Sequence, residues 1–319
     1  MNTAVLLITF NRLDCLKKVF EKVALIKPKR LYISSDGWRE NKVGEKEKVL
    51  EVRKWLLENV NWDCDIHTRF LEQNSGGCKN GVSSAISWMF ETEEEGIILE
   101  DDCVPSLSFF AFCEKLLEKY KGDKKVYSIC GYIPVDSVKS EYPYEFATMS
   151  HCWGWATWKN KWKDFSTNIS DYTKDDIEAL YIHKDSKKYW QWILKRVQSN
   201  EIDSWYFPWN FYIAKNKGLT IFPTKNLISN NGDMGVHYEN SCQDKRLNTK
   251  IFELEINKFN PKYTTKNTNK TLWDNFYLLQ SGTTSKLNFF EYLFSIKNSH
   301  NKKHKIIRIL GFKIKLKRK

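Results

Sequence analysis

The sequence predicts an α/β protein with a Rossmann-like, mostly parallel mixed sheet, helices on both faces, and a basic C-terminal tail. Apolar, strand-like stretches alternate with helical patterns of about a dozen residues over 1–132, which is typical of βαβ units. One stretch, "GIILEDD" at 96–102, is a continuous apolar run after a glycine, as expected for a buried parallel strand. It ends in three consecutive carboxylates, an unusual charge density beside an apolar core.

The predicted elements follow one another along the chain. "VLLITFN" at 5–11 is the first strand, and an amphipathic helix covers 13–26. Residues 226–240 are loop-like, and the polar stretch 260–285 is expected to be a linker. Further strands are predicted at 31–37, 65–71, 96–102, 126–132 and 219–223, and further helices at 82–90, 108–120, 185–198 and 207–218.

The net charge of +12 is concentrated at one end of the 319-residue chain. Residues 286–319 contain eleven Lys or Arg and a single acid, Glu291, so most of the net charge lies in this tail. The nearly neutral body does not favour nucleic-acid binding, and we expect no nucleic-acid partner. The tail alternates basic and bulky apolar residues, which is typical of segments that lie on anionic membranes. Nucleic-acid binding by the tail and a solvated tail without function are the alternatives.

Two further features bear on the compartment. No stretch approaches the roughly 20 apolar residues that a membrane-spanning helix needs, and "MNTAVLLITFNRLD" lacks the features of a signal peptide. The eight cysteines include no CxxC pair, which favours free thiols over zinc ligands or disulfides. We therefore expect a cytoplasmic protein, associated peripherally with the inner face of the cell membrane through its tail.

Polar residues follow four of the predicted strands, at what would be one edge of the sheet. In open α/β sheets, ligands bind beyond the carboxyl ends of the strands. Adjacent carboxylates there are most simply compensated by Mg²⁺ or Mn²⁺, which takes one or two protein carboxylates and then substrate phosphates. An acidic, solvated turn before a helix is the alternative. The residues are Asn11 and Arg12, Asp36, Asn74 with Gly76, Gly77 and Lys79, and finally Glu100, Asp101 and Asp102.

These residues give the chain a resemblance to a known family. "ILEDD" followed by Pro105 and "FF" resembles the acidic, DXD-like metal motif of nucleotide-sugar glycosyltransferases of the GT-A fold. The resemblance covers roughly residues 4–240 and is greatest to the N-acetylglucosaminyltransferase I group and to bacterial cell-surface glycan transferases. It implies that Asp102 ligates the metal, that Asp101 contacts the nucleotide, and that Glu100 approaches the sugar.

The same resemblance assigns roles around the acidic motif. Arg12 matches a basic residue that meets the nucleotide, and Asp36 matches the acid that contacts the uracil or ribose. Lys79 stands where the family has a phosphate-facing histidine. Thr9, Asn11 and Asn74 complete the nucleotide-sugar-binding set that the resemblance implies.

The second half of the chain resembles the family's acceptor region. "HCWGWATW" at 151–158 implies that Trp153, Gly154 and Trp155 bind the acceptor, although Trp is also common in cores. "DSWYF" at 203–207 implies that Asp203 is the catalytic base; an N-cap of the following helix is the alternative. His237 follows Gly-Val where the family has Gly-Val-Ser-His; contact with the diphosphate, ligation of the metal and ordering of its loop are the alternatives for this residue.

The resemblance implies a metal-dependent, inverting hexosyltransferase that uses Mn²⁺ or Mg²⁺. The donor would be a UDP-linked hexose or N-acetylhexosamine, and the acceptor a hydroxyl of a glycan or lipid-linked oligosaccharide in cell-surface polysaccharide synthesis. Residues 1–132 would form the donor half, 133–259 the acceptor half, and 260–319 the linker and membrane tail. The alternatives are a sugar-1-phosphate nucleotidyltransferase or other metal-dependent phosphoryl enzyme, and a non-catalytic protein that binds carbohydrate or nucleic acid.

Overall fold

The structure is a computed structural model of the 319-residue chain. It describes residues 1–232, 246–260 and 262–277, together with the strand segments 294–298, 304–309 and 312–317. The chain divides into two compact units, Met1–Trp273 and Asp274–Lys319. The predicted site residues that the structure describes all lie in the first unit.

The helices and strands of the described residues have these bounds. A 3-10 turn covers Glu178–Leu180, and a π-helical turn covers Trp273–Tyr277. The helices are α1 (Leu13–Ile26), α2 (Glu45–Asn59), α3 (Cys78–Thr92), α4 (Leu107–Tyr120), α5 (Lys159–Trp162), α6 (Lys184–Gln198), α7 (Tyr206–Lys215) and α8 (Lys266–Leu272). The strands are β1 (Ala4–Thr9), β2 (Arg30–Ser35), β3 (Asp65–Phe70), β4 (Glu95–Glu100), β5 (Cys103–Pro105), β6 (Val126–Cys130), β7 (Tyr144–Ala147), β8 (Trp155–Trp158), β9 (Leu219–Pro223), β10 (Ile228–Asn230), β11 (Phe294–Asn298), β12 (His304–Ile309) and β13 (Phe312–Lys317).

An eight-stranded mixed sheet forms the centre of the first unit. Its strand order is β3-β2-β1-β4-β8-β6-β9-β7. Strands β1 to β4, β6 and β9 run in one direction, whereas β8 and β7 run antiparallel to their neighbours. The predicted fold class, a Rossmann-like α/β protein with a mostly parallel mixed sheet flanked by helices, is therefore confirmed.

The first strand and helix show how the sequence builds this sheet. Strand β1 is covered on both faces, and Val5, Leu6 and Leu7 are completely buried, as expected for the apolar run of an inner parallel strand. Helix α1 buries Leu16, Val19, Phe20 and Val23, which have the three- and four-residue spacing of one helix face. This packing fixes the carboxyl end of β1, where Arg12 begins the turn into α1.

Several elements differ from the sequence-based expectation, and three of them show why. Helix α2 was not predicted, because most of its residues are charged and its apolar face is short, consisting of the buried residues Val49, Val52 and Leu56. Strand β10 lies in the predicted loop and pairs antiparallel with β5. Helix α8 lies in the predicted linker. Its buried residues Thr268, Asn269 and Leu272 include two polar ones, so the sequence shows no apolar helix face there.

The second unit contains a three-stranded antiparallel sheet in the order β11-β12-β13. Ile307 pairs with Ile314, and the next pair along the strands is Arg308 with Lys313. Because successive positions of a strand alternate between its two faces, the basic positions 313, 315 and 317 of β13 fall on one face and its apolar positions on the other. In β12 the separation is incomplete, since Lys305 pairs with Leu316 and Ile306 pairs with Lys315. Among the described helices, none is long and apolar enough to cross a membrane.

Candidate functional site

The carboxyl ends of β1 and β4 bring Arg12 to the acidic motif. The two strands are parallel neighbours, and Ile8 of β1 pairs with Glu100 of β4. Arg12, three residues beyond β1, donates from Nη2 to Asp101 Oδ1 and, at 2.9 Å, to Asp102 Oδ2. Only 5% of the Asp101 side chain and 15% of the Asp102 side chain are exposed. The guanidinium therefore supplies the positive charge that adjacent buried carboxylates require.

One arginine does not fully compensate three acids. Burial, together with the negative charges of Asp102 and Asp101, raises the pKa of Glu100 to about 8. For Asp101, burial outweighs the lowering effect of Arg12, and the pKa is raised to about 6. Burial lowers the pKa of Arg12, but the charges of Asp101 and Asp102 outweigh it, so its pKa is raised overall. A cluster with this excess of negative charge attracts a further cation.

Asn231 and Gly232, which the sequence did not single out, lie against this cluster. The Asn231 N–H donates to the Asp102 carbonyl at 2.8 Å. A side chain at position 232 would overlap the Asp102 carboxylate and come within 3.0 Å of Arg12. The Asn-Gly pair therefore covers one side of the acidic motif, and only glycine fits its second position. Because both residues lie in a loop-like polar stretch, nothing in the sequence pattern distinguishes them.

Asp36 and Asn74 come together beyond the ends of β2 and β3. The Asp36 carboxylate accepts from the N–H of Gly37 and of Ser75, both at 2.9 Å, and from the Ser75 hydroxyl at 2.7 Å. Asn74 Nδ2 also donates to it at 3.2 Å. In this arrangement Asp36 orders the loop that leads to α3, and the loop in turn approaches the acidic motif.

Asp203 lies at the N-terminus of α3. Its carboxylate accepts the N–H of Cys78 at 3.0 Å and the N–H of Lys79 at 3.3 Å. Gly77 has a φ of +116° and its α-carbon faces the carboxylate so closely that any side chain there would overlap it. The alternative role as N-cap of the next helix does not apply, because the N-cap of α7 is Trp205. Asp203 instead stabilises the first turn of α3, where N–H groups favour a negative charge.

The thiol of Cys78, in the first turn of α3, is affected by the charges of both groups of acids. Burial raises its pKa, and the negative charges of Glu100, Asp203 and Asp102 raise it further. The structure thus brings Arg12, the 100–102 motif and Asp203 around the start of α3. The seven cysteines within the described residues are free thiols, as predicted; Cys242 lies outside them.

Thr9, Asn11 and Lys79, three further residues predicted to bind the nucleotide sugar, differ in their contacts. Thr9 is 3% exposed, and its hydroxyl lies 3.4 Å from the carbonyl of Ser34 inside the sheet. Asn11 Nδ2 donates to Glu45 Oε1 at 3.2 Å. Lys79 is half-buried in the first turn of α3. Of these three, Lys79 is the one beside the Asp203 carboxylate.

The aromatic residues predicted to bind the acceptor are mostly buried. Trp155 lies in the antiparallel strand β8, is 1% exposed, and stacks on Trp205 with ring centroids 5.3 Å apart. A ring enclosed in this way has no face left for a sugar, so we assign Trp155 to the core. Trp153 is 8% exposed, and Gly154 has a φ of +61° with Ile228 directly against its α-carbon.

The acidic motif has the donor chemistry of a Mg²⁺ or Mn²⁺ site. Its groups are hard oxygen donors, and Asp101 Oδ2 is buried without a hydrogen-bond partner among the described residues, as a ligand-binding oxygen would be. Within the described ranges, no three His, Cys, Asp or Glu side chains form a group that could hold a metal alone. A cation would therefore use one or two carboxylates and complete its shell with ligand oxygens. His237, the other predicted metal ligand, lies outside the described residues.

An open groove of about 700 Å³ runs along α3 from the same loop. Ser75 and Asn80, which flank the N–H groups bound by Asp203, line it together with Trp88 and Phe165. Ser83, Ser84 and Ser87 of α3 also line it. The groove is therefore lined by both hydroxyl groups and aromatic rings.

No protein-family model and no curated protein matches the sequence. Some solved structures are similar. A mannosyltransferase from Pyrobaculum calidifontis, in complex with GDP-Man and Mn²⁺, is 11% identical over 68% of this chain and 69% of that chain, with a TM-score of 0.39. Mouse xyloside xylosyltransferase 1, in its apo form, is 10% identical over 67% and 81%, with a TM-score of 0.33. A UDP-glucose pyrophosphorylase complexed with UDP-glucose is 10% identical over 51% and 71%, with a TM-score of 0.28. Likenesses this distant identify neither a substrate nor a reaction.

Proposed function

We propose that the protein is a metal-dependent glycosyltransferase that moves a sugar from a nucleoside diphosphate to a hydroxyl of a glycan. The observation that supports this most directly is the acidic cluster at the carboxyl ends of β1 and β4, with Arg12 bound to Asp101 and Asp102. Such a cluster suits a cation and a diphosphate together, since each compensates charge that the other brings. The preferred donor is a UDP-linked hexose or N-acetylhexosamine.

In this proposal Asp102 holds the cation, Asp101 contacts the nucleotide and Glu100 approaches the sugar, with His237 as a further candidate ligand of the cation. When bound, Mn²⁺ or Mg²⁺ stabilises the negative charge of the leaving diphosphate as a Lewis acid, typically by several kcal/mol. Arg12 and Lys79 contribute charge-assisted hydrogen bonds to the phosphates. Because Arg12 already pairs with Asp101 and Asp102, donor binding would redistribute its hydrogen bonds rather than bring it from elsewhere.

Asp203 is the proposed base for the acceptor hydroxyl. Its carboxylate is exposed, and each oxygen keeps a lone pair in addition to the one used for an N–H of α3. A base in this position would remove the acceptor proton as the hydroxyl attacks the anomeric carbon opposite the diphosphate, which gives inversion. General base catalysis of this type contributes about 10²–10⁴-fold.

The groove along α3 is the proposed path of the acceptor. Its lining includes Ser75 and Asn80, in the loop and first turn that Asp203 contacts, so an acceptor lying there would reach the base. Hydroxyl groups and aromatic faces are suited to sugars. Trp153 and Gly154 remain candidates for acceptor binding, whereas buried Trp155 belongs to the core.

Membrane attachment through the C-terminal unit is part of the same proposal. The register of β12 and β13 separates basic positions such as Arg308 and Lys313 from apolar ones such as Ile307 and Ile314. A sheet with one mostly basic and one mostly apolar side suits an anionic bilayer surface. A lipid-linked acceptor at the inner face of the cell membrane would then be close to the enzyme.

A sugar-1-phosphate nucleotidyltransferase is the second candidate, since it also needs a cation beside a nucleotide. It would bind a nucleoside triphosphate and a sugar phosphate, and it needs no base for an acceptor hydroxyl. The carboxylate of Asp203 at the start of α3 favours the glycosyltransferase.

A thermal-shift screen of nucleotide sugars, nucleoside triphosphates and metals tests the proposal. Because a ligand at 100 times its Kd stabilises by about 2.7 kcal/mol, the correct donor should raise Tm by several degrees, and only with Mn²⁺ or Mg²⁺ present. Stabilisation by a nucleoside triphosphate with a sugar phosphate would select the nucleotidyltransferase. The absence of any metal-dependent shift across the panel would overturn both.

A further inference from the structure

Asn231 has a buried side chain whose hydrogen-bonding groups are unused. Its Oδ1 and its Nδ2 are both buried and have no hydrogen-bond partner among the described residues, and the residue is only 7% exposed. Leaving a buried polar group unsatisfied costs about 1–3 kcal/mol. A carboxamide with both groups unsatisfied is therefore a net loss of stability to the free protein.

Two other buried asparagines show that the fold can satisfy such groups. Asn226 is 1% exposed; its Nδ2 donates to the carbonyls of Ile228 and Lys250, both at 2.8 Å, and its Oδ1 accepts the N–H of Ile133. Asn210 is fully buried, accepts the N–H of Ser150 at 2.7 Å and donates to the carbonyl of Tyr206. Asn231 is the exception among these three.

The backbone of Asn231 holds the residue at the acidic cluster. Its N–H donates to the Asp102 carbonyl at 2.8 Å, and its own carbonyl accepts the Cys15 thiol at 3.7 Å. The pKa of that thiol is raised first by burial, and Asp101 and Asp102 raise it further while Arg12 lowers it. Asn231 is thus fixed between the end of β4 and the start of α1, beside the carboxylates that carry excess negative charge.

A ligand that satisfies Asn231 must offer two kinds of group. Its Oδ1 needs a cation or a hydrogen-bond donor, and its Nδ2 needs an acceptor. A cation bound to a diphosphate provides both, since the metal takes amide oxygens and the phosphoryl oxygens accept hydrogen bonds. A free divalent cation would satisfy only the oxygen.

We infer that the Asn231 carboxamide is a binding group for the cation–diphosphate pair, with Oδ1 directed to the cation and Nδ2 to a phosphoryl oxygen. This inference rests on the proposed function, which places a cation and a diphosphate at the acidic cluster. It adds to that site a neutral residue that contributes affinity without adding further negative charge.

The test compares Asn231→Leu with Asn226→Leu in the full-length protein. Thermal unfolding is measured without ligand, and binding of Mn²⁺ with UDP and of Mn²⁺ with GDP is measured by titration calorimetry. Asn231→Leu should unfold at the wild-type temperature or above, because an unsatisfied group is removed, yet bind the Mn²⁺–nucleotide pair at least 10-fold more weakly. Asn226→Leu should lower the unfolding temperature by several degrees, because it leaves its partners unsatisfied.

Asn231→Asp separates the two contacts. It keeps an oxygen for the cation and removes the N–H donor, so Mn²⁺ alone should still bind while the gain in affinity from added nucleotide falls. If wild-type protein binds Mn²⁺ with nucleotide and Asn231→Leu binds equally well, the inference is overturned and the proposed function stands. If wild-type protein binds neither nucleotide with Mn²⁺, both are overturned.

Discussion

The carboxylate of Asp203 accepts a 3.0 Å hydrogen bond from the backbone N–H of Cys78, which lies 125 residues earlier in the chain. This contact joins the segment before α7 to the first turn of α3 and so to the acidic cluster. It also gives Asp203 a structural task in addition to the proposed catalytic one. Substitutions at this position must therefore separate the two tasks.

Asp203→Asn should abolish most turnover while preserving the fold. The amide keeps one oxygen to accept an N–H of α3, but it cannot take a proton from the acceptor hydroxyl. We expect the turnover number to fall by about 10²–10⁴-fold, with Tm changed by no more than a few degrees and donor binding retained. Steady-state kinetics with the donor found in the thermal-shift screen measure the first effect.

Asp176→Asn is the matched control for this change. Asp176 also accepts a backbone N–H, that of Thr173 at 2.7 Å, and hydrogen bonds from Thr173 lower its pKa. It belongs to a turn outside the acidic cluster, so turnover should stay at the wild-type value. If Asp203→Asn kept the wild-type turnover number, Asp203 would not be the catalytic base.

Arg12→Gln should make the stability of the protein depend on metal. Without the guanidinium, Asp101 and Asp102 lose their positive partner, and we expect a loss of roughly 2 kcal/mol. This is below the 3–5 kcal/mol of fully buried pairs, because a quarter of the Arg12 side chain is exposed (26%). Mn²⁺ should restore more of the unfolding temperature to the variant than it adds to the wild type.

Arg30→Gln provides the comparison, since Arg30 pairs with Glu93 at 2.7 Å away from the acidic cluster. Its unfolding temperature should respond to Mn²⁺ as the wild type does. Equal metal responses of all three proteins in scanning fluorimetry would show that no cation binds beside Asp101 and Asp102.

The sequence predicts the part of this site that depends on strand ends. Parallel neighbouring strands place their carboxyl ends at one edge, so the pattern of predicted strands is enough to place Arg12 near the acids at 100–102. The contact of Asp203 with α3 has no local pattern, since 125 residues separate the partners. The sequence also does not predict a role for Asn231, because the relevant feature is that its side chain makes no hydrogen bond within the described residues.

The Trp-rich segment shows a second limit of sequence-based prediction. A tryptophan beside polar residues has the same pattern whether its ring is enclosed or forms a binding surface. Trp155 belongs to a four-residue antiparallel strand between β4 and β6, and burial on both faces follows from that position. Only the strand order, which the sequence pattern does not reveal, identifies it as a core residue.

Trp155→Ala should therefore act on stability. Removing a large buried ring that packs against Trp205 and Trp209 leaves a cavity, and we expect a loss of about 3–5 kcal/mol in the free energy of unfolding. Trp192→Ala is the control, since Trp192 is 47% exposed and should change stability by no more than about 0.5 kcal/mol. Urea denaturation measures both. If Trp155→Ala kept full stability but selectively lost acceptor use, Trp155 would be an acceptor-binding residue and not a core residue.

The buried Glu45 should make stability fall in acid. A hydrogen bond from Arg39 lowers its pKa, against the effect of burial, and Asn11 also donates to it. The folded-state pKa lies below the ordinary value of about 4.3. The stabilisation is therefore fully present above the ordinary value and is lost as pH falls through the folded-state pKa. Glu45→Gln should therefore be less stable than wild type at pH 7, by about 1 kcal/mol since Arg39 is partly exposed. The difference should shrink below about pH 4 in urea denaturation; a difference independent of pH would contradict this origin.

Removing the C-terminal residues 286–319 should release the protein from anionic vesicles. The basic positions of β13 that share one face, Lys313, Lys315 and Lys317, offer a sharper version of this test. At about 1 kcal/mol for each basic residue near a charged membrane surface, changing all three to Gln should weaken vesicle binding on the order of 100-fold. The control changes three exposed lysines of the body, Lys54, Lys121 and Lys217, to Gln. Vesicle binding should then change little, which would exclude a general reduction of charge as the cause of the loss. Sedimentation with vesicles that contain or lack anionic lipid distinguishes these outcomes, and equal binding of the truncated and full-length chains would show that the tail does not attach the protein to membranes.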